Sequence, residues 1–348
     1  MHHLVIDGVS WRILLEDLEQ ALDQIERGET VCLQSKTTSF QRWSRCLTEY
    51  ANSSDLAQEA RFWFHLAQQN ITELPLDHPG GANLESSARR VRTSLDQELT
   101  RSLLSEIPRA YNTQINDVLL TALSRAFVNW MGGPTVLFTL EGHGRQEIPA
   151  QVDLSRTVGW FTSDYPVLLR SARGEFDPGA ALQSTKEQLK AIPSQGFGFG
   201  LGRYLSENEG LRHALADLPE PVVGFNYLGQ FDQLFGKDAR FGYCDESFGP
   251  ALGPDGKRIF VLEVYGRVSE GRLLFEFEYS ENLHEPSTIE ALADDFSDSL
   301  EQIIRHCLAI DTGELDTSEF SEFDWSASEL SSIMDAISDS QDPRDGDA

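Results

Sequence analysis

The stretch "TQINDVLLTALSRAFVNWMGGPTVLFTLEGHGRQ", residues 113–146, constrains the chain most. Ile115, Val118, Leu119, Ala122, Leu123, Phe127 and Trp130 recur at helical spacing, and Gly132 provides the stop. The pattern then switches to a period of two. Val136, Phe138 and Leu140 fall on one face of a strand, and Leu137, Thr139, Glu141 and His143 on the other. A largely apolar helix feeding directly into such a strand requires a sheet with helices packed on it. Glu141 and His143 share a face at the end of that strand.

The rest of the chain extends this reading. Helices are expected from Ser10, as N-cap, to Gly28, around Phe40–Tyr50, and over about 55–69. "ITELPLDHPGGANLESSA" reads as a linker between lobes, rich in proline, glycine and small polar residues. Beyond it, "RRVRTSL", "TVGWFTSDYPVLL", "VVGFNYLGQF", "RIFVLEVYGRV" and "RLLFEFEYS" read as strands, the last two as a hairpin around Ser269, Glu270 and Gly271. Helices are expected at "DQELTRSLLSEI" and from about Pro286 to Leu308. The class is α/β or α+β, a mixed sheet layered with helices.

The 348 residues carry a net charge of −28, which repels nucleic acid where no basic patch offsets it. No apolar run reaches the roughly 20 residues of a membrane span, and no basic segment leads into an apolar core as in a signal peptide. A cytoplasmic protein without membrane contact is expected. Cys32, Cys46, Cys244 and Cys307 are scattered, which suggests buried free thiols rather than disulfides or a zinc site. From Asp311 to Ala348 there are twelve acidic residues against one basic, Arg344. This segment reads as an acidic linker or tail, in which "WSASELSSIMDAI" could form a short amphipathic helix.

The chemistry-bearing motifs begin at "HHLVIDGVSW". On a strand, His2 and His3 point to opposite faces, so that one enters a cavity and the other packs. Metal binding is disfavoured, because helical zinc motifs set two histidines one turn apart. Asp7 and Gly8 turn the chain into the first helix. "EGHGRQ" (141–146), "RTVGWFTSDYPVLL" (156–169), "IPSQGFGFG" (192–200) and "VVGFNYLGQFD" (222–232) follow in order. "GFGFGLG" lacks the spacing of a phosphate loop and reads as a flexible loop near the mouth of the site. Trp160 and Phe161 read as core, and Asn116 and Asp117 as capping or bridging groups. No Gly-x-Ser-x-Gly elbow is present, which disfavours a hydrolase-type thioesterase.

This ordered set resembles the motifs of condensation and epimerization domains of nonribosomal peptide synthetases, and "EGHGR", "GWFTSDYPV" and "FNYLGQF" favour the epimerization branch. The resemblance covers about residues 1–310. It implies a chloramphenicol-acetyltransferase-like fold of two α/β lobes with the site in a tunnel between them. Residues 1–75 would be the remnant of an N-terminal lobe, residues 76–310 the C-terminal lobe, and 311–348 the acidic tail. The segment before the histidine motif would be missing, so the first lobe is expected to be truncated and the isolated chain impaired. The helices over residues 10–69, with Trp11, Trp43, Phe62 and Trp63, would then expose an apolar patch.

The activity implied is inversion of Cα in an aminoacyl or peptidyl thioester, with no bound cofactor. The substrate would hang from the 4′-phosphopantetheine of a peptidyl carrier protein, and a missing N-terminal fragment or a downstream synthetase module would be further partners. Inversion takes a proton from one face of Cα and returns it to the other, so two acid/base groups must flank it. Glu141 and His3 are that pair, with Tyr227 as a proton or hydrogen-bond donor. Glu141 needs partial burial to lift its proton affinity toward working pH. Asn226 helps orient the substrate, although alternation lets only one of Asn226 and Tyr227 face the tunnel directly. His143 is either an orienting group for Glu141 or a packed, backbone-bonded histidine. Asp7 is structural, and in the family it pairs with the arginine that is Arg145 here. His2 and Gly8 complete the orienting set. The alternatives are a condensation-type acyltransferase, in which His3 assists amine attack on a thioester, and a non-catalytic fragment that docks a carrier protein.

Overall fold

The structure is a computed structural model that describes residues 2–107, 112–148, 152–230, 240–241, 249 and 251–309. The amino-terminal part is helical. A single 3-10 turn, His3–Val5, leads into α1 (Gly8–Glu26), α2 (Phe40–Ala51) and α3 (Ser54–Ala67). Each α-helix starts where a short polar side chain accepts from the third backbone N–H after it: Asp7 from Ser10, Ser39 from Arg42, Ser53 from Leu56. Ser10 is therefore not the N-cap of α1. Asp7 has the extended backbone a cap requires, and the Ser10 hydroxyl instead donates to the Gly159 carbonyl at 2.9 Å. Trp43 and Trp63 are buried and Phe62 packs against the core, whereas Trp11, Leu18 and Ile25 on α1 remain exposed. Phe40 on α2, Phe64 on α3, and Leu4, Val5, Val31 and Leu33 outside the α-helices are exposed as well, so the apolar side chains left open are spread over the amino-terminal part rather than centred on Trp43 and Trp63.

β1 (Ala88–Ser94), α4 (Gln97–Ser105), α5 (Ile115–Met131), β2 (Thr135–Gly142) and β3 (Ser163–Arg170) follow. Then come α6 (Pro178–Lys190), α7 (Phe197–Tyr204), α8 (Glu209–Ala216), β4 (Val223–Gln230), β5 (Leu262–Ser269), β6 (Arg272–Ser280) and α9 (Pro286–Ala309). The strands form one sheet in the order β1-β6-β5-β4-β2-β3. β4 runs parallel to both β2 and β5, and the remaining pairs are antiparallel. The helices between β3 and β4 supply the crossover that a parallel pairing with β2 needs. β5 and β6 join at Glu270 and Gly271, both with positive φ, as a tight hairpin turn requires.

α5 and α9 cover one face of the sheet. Phe127 meets Phe138 edge-on at 5.5 Å, and Phe296 lies 4.7 Å from Phe275. Residues 117–128 of α5 are buried throughout, and Gly132 closes the helix in the left-handed region. A second, smaller core joins Trp43, Cys46, Leu56, Phe161, Phe197 and Leu201.

Three expectations are corrected here. Residues 157–162 are not strand, because their backbone is held by Ser10, Asp7 and Arg145 rather than by a neighbouring strand. "GFGFG" is not a flexible loop but helix α7, with Phe197, Phe199 and Leu201 buried. The stretch read as a linker is laid against the sheet. The Thr72 N–H donates to the Thr135 hydroxyl at 3.0 Å, and the N–H groups of Asp77 and His78 to the Leu283 carbonyl at 3.1 and 3.0 Å. Cys46 and Cys307 are buried free thiols, and Cys32 is a free thiol on the surface. Cys244 and the acidic segment 311–348, with its expected short helix, lie outside the described residues. Among the described residues no helix is long and apolar enough to cross a membrane.

Candidate active site

The site is built where the amino-terminal segment meets the ends of β2, β3 and β4. Asp7 fixes the junction. Its Oδ1 accepts from Ser10 N at 2.7 Å and from Arg145 Nη2 at 3.2 Å, and its Oδ2 from Phe161 N at 3.2 Å. Arg145 also donates through Nη1 to the carbonyls of Leu154 and Thr157, at 2.8 and 2.9 Å. Its guanidinium lies over the Phe161 ring, 3.8 Å from the centroid. The expected pairing of Asp7 with Arg145 is present and buried. Burial pushes the Asp7 carboxyl up, but its Ser10 bonds, Arg145 and the Phe161 N–H together outweigh that and hold it below the usual carboxylate range. Gly8 opens α1, and a Cβ there would meet open space, so its role is not steric.

Gly144 is a glycine the loop cannot replace. Its φ is +63°, and a Cβ would lie 1.5 Å from the Phe161 carbonyl oxygen. Gly144→Ala is expected to cost about 1–3 kcal/mol from backbone strain alone, with the steric clash added to it. A lowered thermal midpoint checks this.

Glu141 is at the end of β2. Asn226, on β4, donates its side-chain N–H to Glu141 Oε2. Glu141 borders a cleft of about 740 Å³, whose lining includes His143, Gln146, Tyr165 and Gln195. It also borders a small recess with Asp164, Asn226, Glu263 and Tyr265. The carboxyl is pushed up to about 7, first by burial in the cleft and then by the negative charge of Asp164, with Glu263 adding to it. His3 works the other way, its positive form favouring the ionised carboxylate. The side chain is recessed in a cleft yet still open to solvent, a combination suited to exchanging protons with a bound molecule.

His3 is on the 3-10 turn, not a strand, and its ring is 5.2 Å from Trp160. Trp160 is exposed beside it rather than core, whereas Phe161 is buried. His2 caps the turn, its Nδ1 accepting from Leu4 N at 3.1 Å. His143 follows the end of β2, and its Nδ1 accepts from Arg145 N at 3.0 Å. It is the backbone-bonded histidine of the two readings, and Asn226 takes the orienting place beside Glu141. Asp117 caps α5, accepting from Gln114 N at 2.7 Å.

Alternation along β4 separates Asn226 from Tyr227. Asn226 shares the recess with Glu141, and Tyr227 packs against the helix-covered core with its phenol pushed up to about 12 by burial. Tyr227 is therefore not brought together with Glu141 as a catalytic partner. Sequence reasoning missed Asp164, Glu263 and Tyr265. Asp164 stands directly opposite Glu141 in the β2–β3 ladder, and Tyr265 opposite Asn226 in the β4–β5 ladder. Tyr265 donates to Glu263 Oε1 at 2.6 Å, and Arg258 donates to Glu263 Oε2 at 2.8 Å. The alternation of Leu262 and Val264 with Glu263 and Tyr265 was the available signal.

The chain is 40% identical over 349 residues to gramicidin S synthase 1 of Brevibacillus brevis, covering 98% of this chain and 32% of that protein. It is 37% identical over 338 residues to tyrocidine synthase 2 of Brevibacillus parabrevis, covering 97% of this chain and 9% of that protein. The chain thus spans only a minor part of the curated relatives it matches. A crystal structure of the epimerization domain from the third module of tyrocidine synthetase B superposes with a TM-score of 0.83 at 37% identity, over 89% of this chain and 69% of that one. The mixed sheet and its helices are the condensation-domain fold, similar to chloramphenicol acetyltransferase. Residues 1–322 match the family described as Condensation domain, and the chain belongs to that family of nonribosomal peptide synthetase domains.

Proposed function

We propose that this chain inverts the Cα configuration of an aminoacyl or peptidyl thioester carried on the phosphopantetheine arm of a peptidyl carrier protein. The observation that carries the reading is Glu141: a carboxyl bordering the cleft, held by Asn226 and raised to about 7. A thioester carbonyl acidifies the neighbouring C–H, because the carbanion delocalises into an enolate. The Cα–H bond breaks, its proton passes to Glu141, and the electron pair moves onto the thioester oxygen. Delivery of a proton to the opposite face re-forms the C–H bond with inverted configuration. His3 is the group that returns it, and in its protonated form it also offsets the enolate's charge. With Glu141 near neutrality, its acid and base forms are both populated, so the cycle runs in either direction. Asn226 keeps one carboxylate oxygen occupied and leaves the other for the substrate. Tyr227, protonated at neutral pH and packed in the core, supports β4 rather than the reacting atoms.

The test is incubation of the chain in D2O with a thioester loaded on a phosphopantetheinylated carrier protein, read by mass and chiral chromatography. Deuterium at Cα together with the D isomer is the expected result. Amide formation with an added aminoacyl carrier and no Cα exchange replaces the reading with condensation. Carrier binding with neither reaction replaces it with docking alone.

A further inference from the structure

Asp164 has no part in the proton transfers assigned to Glu141 and His3, yet it shares their site. β2 and β3 pair antiparallel with Glu141 directly opposite Asp164. Opposed residues on such a ladder put their Cβ atoms about 4.5–5.5 Å apart on one face of the sheet. Both side chains line the same recess while remaining open to solvent, and their partial burial raises the proton affinity of Asp164 as well. Among the described residues no basic side chain pairs with Asp164 and no donor bonds to it. Glu263 differs: Arg258 and the Tyr265 hydroxyl occupy its oxygens. The charged and titratable groups that share the recess with Glu141 or act on its charge are Asp164 from β3, Glu263 and Tyr265 from β5, and His3 from the amino-terminal turn, while Asp117, His143, Lys186 and Lys190 line the wider cleft. Asp164 is the unneutralised charge among the carboxylates.

We propose that Asp164 is a positioning residue for the reaction, its cross-strand carboxylate keeping Glu141 loaded with a proton in the neutral range. Two facing carboxylates resist carrying two negative charges at once, and the positive form of His3 offsets this only in part, since the Glu141 carboxyl is still pushed up. Asp164 ionises first and Glu141 retains the proton. When Glu141 does ionise, it is the stronger base for having lost that proton against a neighbouring charge. The pair titrates as a unit, and its upper step belongs mainly to Glu141. This rests on Glu141 being the proton-transfer group only for its effect on rate. The electrostatic coupling itself is independent of that reading.

The experiment is Asp164→Asn, which keeps the size of the side chain, with Glu263→Gln as comparison. Glu141 is followed directly by carbon NMR of glutamate labelled at the carboxyl carbon, its signal assigned with Glu141→Gln. The upper titration is expected to fall by about one unit in Asp164→Asn and by clearly less in Glu263→Gln. The pH profile of Cα proton exchange should move down in parallel. An unchanged Glu141 titration in a folded Asp164→Asn protein overturns the proposal, as does an equal or larger shift from Glu263→Gln. A shifted titration with exchange unaffected by Glu141→Gln leaves the coupling standing and removes Glu141 from the chemistry, so the two failures are distinguishable.

Discussion

Glu141→Gln is expected to lower Cα proton exchange by about 10²–10⁴-fold, the usual contribution of a positioned acid/base group. Glutamine keeps the shape of the side chain, and its carbonyl still accepts from Asn226. It cannot take up a proton at working pH, so the loss falls on the chemistry rather than on the fold. A wild-type exchange rate that falls as pH drops through about 7 is the companion result, because protonation removes the base form. Stability runs the other way. A carboxyl raised in the folded state costs nothing below its unfolded value of about 4.3. The cost of ionising it grows as pH rises toward about 7 and is complete above that. Glu141→Gln is therefore expected to melt at or above the wild-type temperature at pH 8. Unchanged exchange in a folded Glu141→Gln protein would remove this residue from the mechanism.

Asp7→Ala is expected to cost about 3–5 kcal/mol, because it leaves Arg145 as a buried charge without its partner. Both side chains are nearly enclosed, at 6% and 10% exposure. The same substitution removes the cap of α1 and the acceptor for the Phe161 N–H. Asp7→Asn retains an acceptor for the cap and loses the charge, so its cost should be smaller. Chemical denaturation of the two variants measures the difference. Since Asp7 is held below its usual range, its contribution is fully present above the unfolded value of about 3.9 and is lost as pH falls through the lower folded value. Exchange should suffer in Asp7→Ala as well. Asp7 and Arg145 tie the turn carrying His3 to the loop that follows Glu141, and proton transfer tolerates little displacement.

How far the site is legible follows from the kind of information each residue carries. Glu141 is marked by the "EGHGR" motif and by the need for an acid/base pair around Cα. Asp7 and Arg145 pair by the resemblance, and their contact distances agree with it. The Asn226–Tyr227 ambiguity is visible as alternation, but the face toward the site depends on the pairing of β4 with β2. Asp164 is hidden inside "FTSDYPV", where nothing local marks its aspartate. Its significance lies in a register that brings positions 141 and 164 opposite each other. Helix α7 escapes a sequence reading because four glycines between 196 and 202 lower helix propensity, while burial of Phe197, Phe199 and Leu201 supplies what propensity does not. Trp160 reads as core by residue type, and it is the loop's attachment to Asp7, Ser10 and Arg145 that turns it outward beside His3.

The sequence by itself determined the helices and strands with a clear period, the hairpin at Glu270–Gly271, and the residue types able to move a proton. These depend on local spacing and on side-chain chemistry, which are written along the chain. The tertiary structure decided which of those residues meet. It set Asn226 rather than His143 on Glu141, turned Tyr227 into the core, and faced Asp164 toward Glu141. Contacts of this kind are fixed by strand order and register, and by burial that alters proton affinity only once distant segments close around a group.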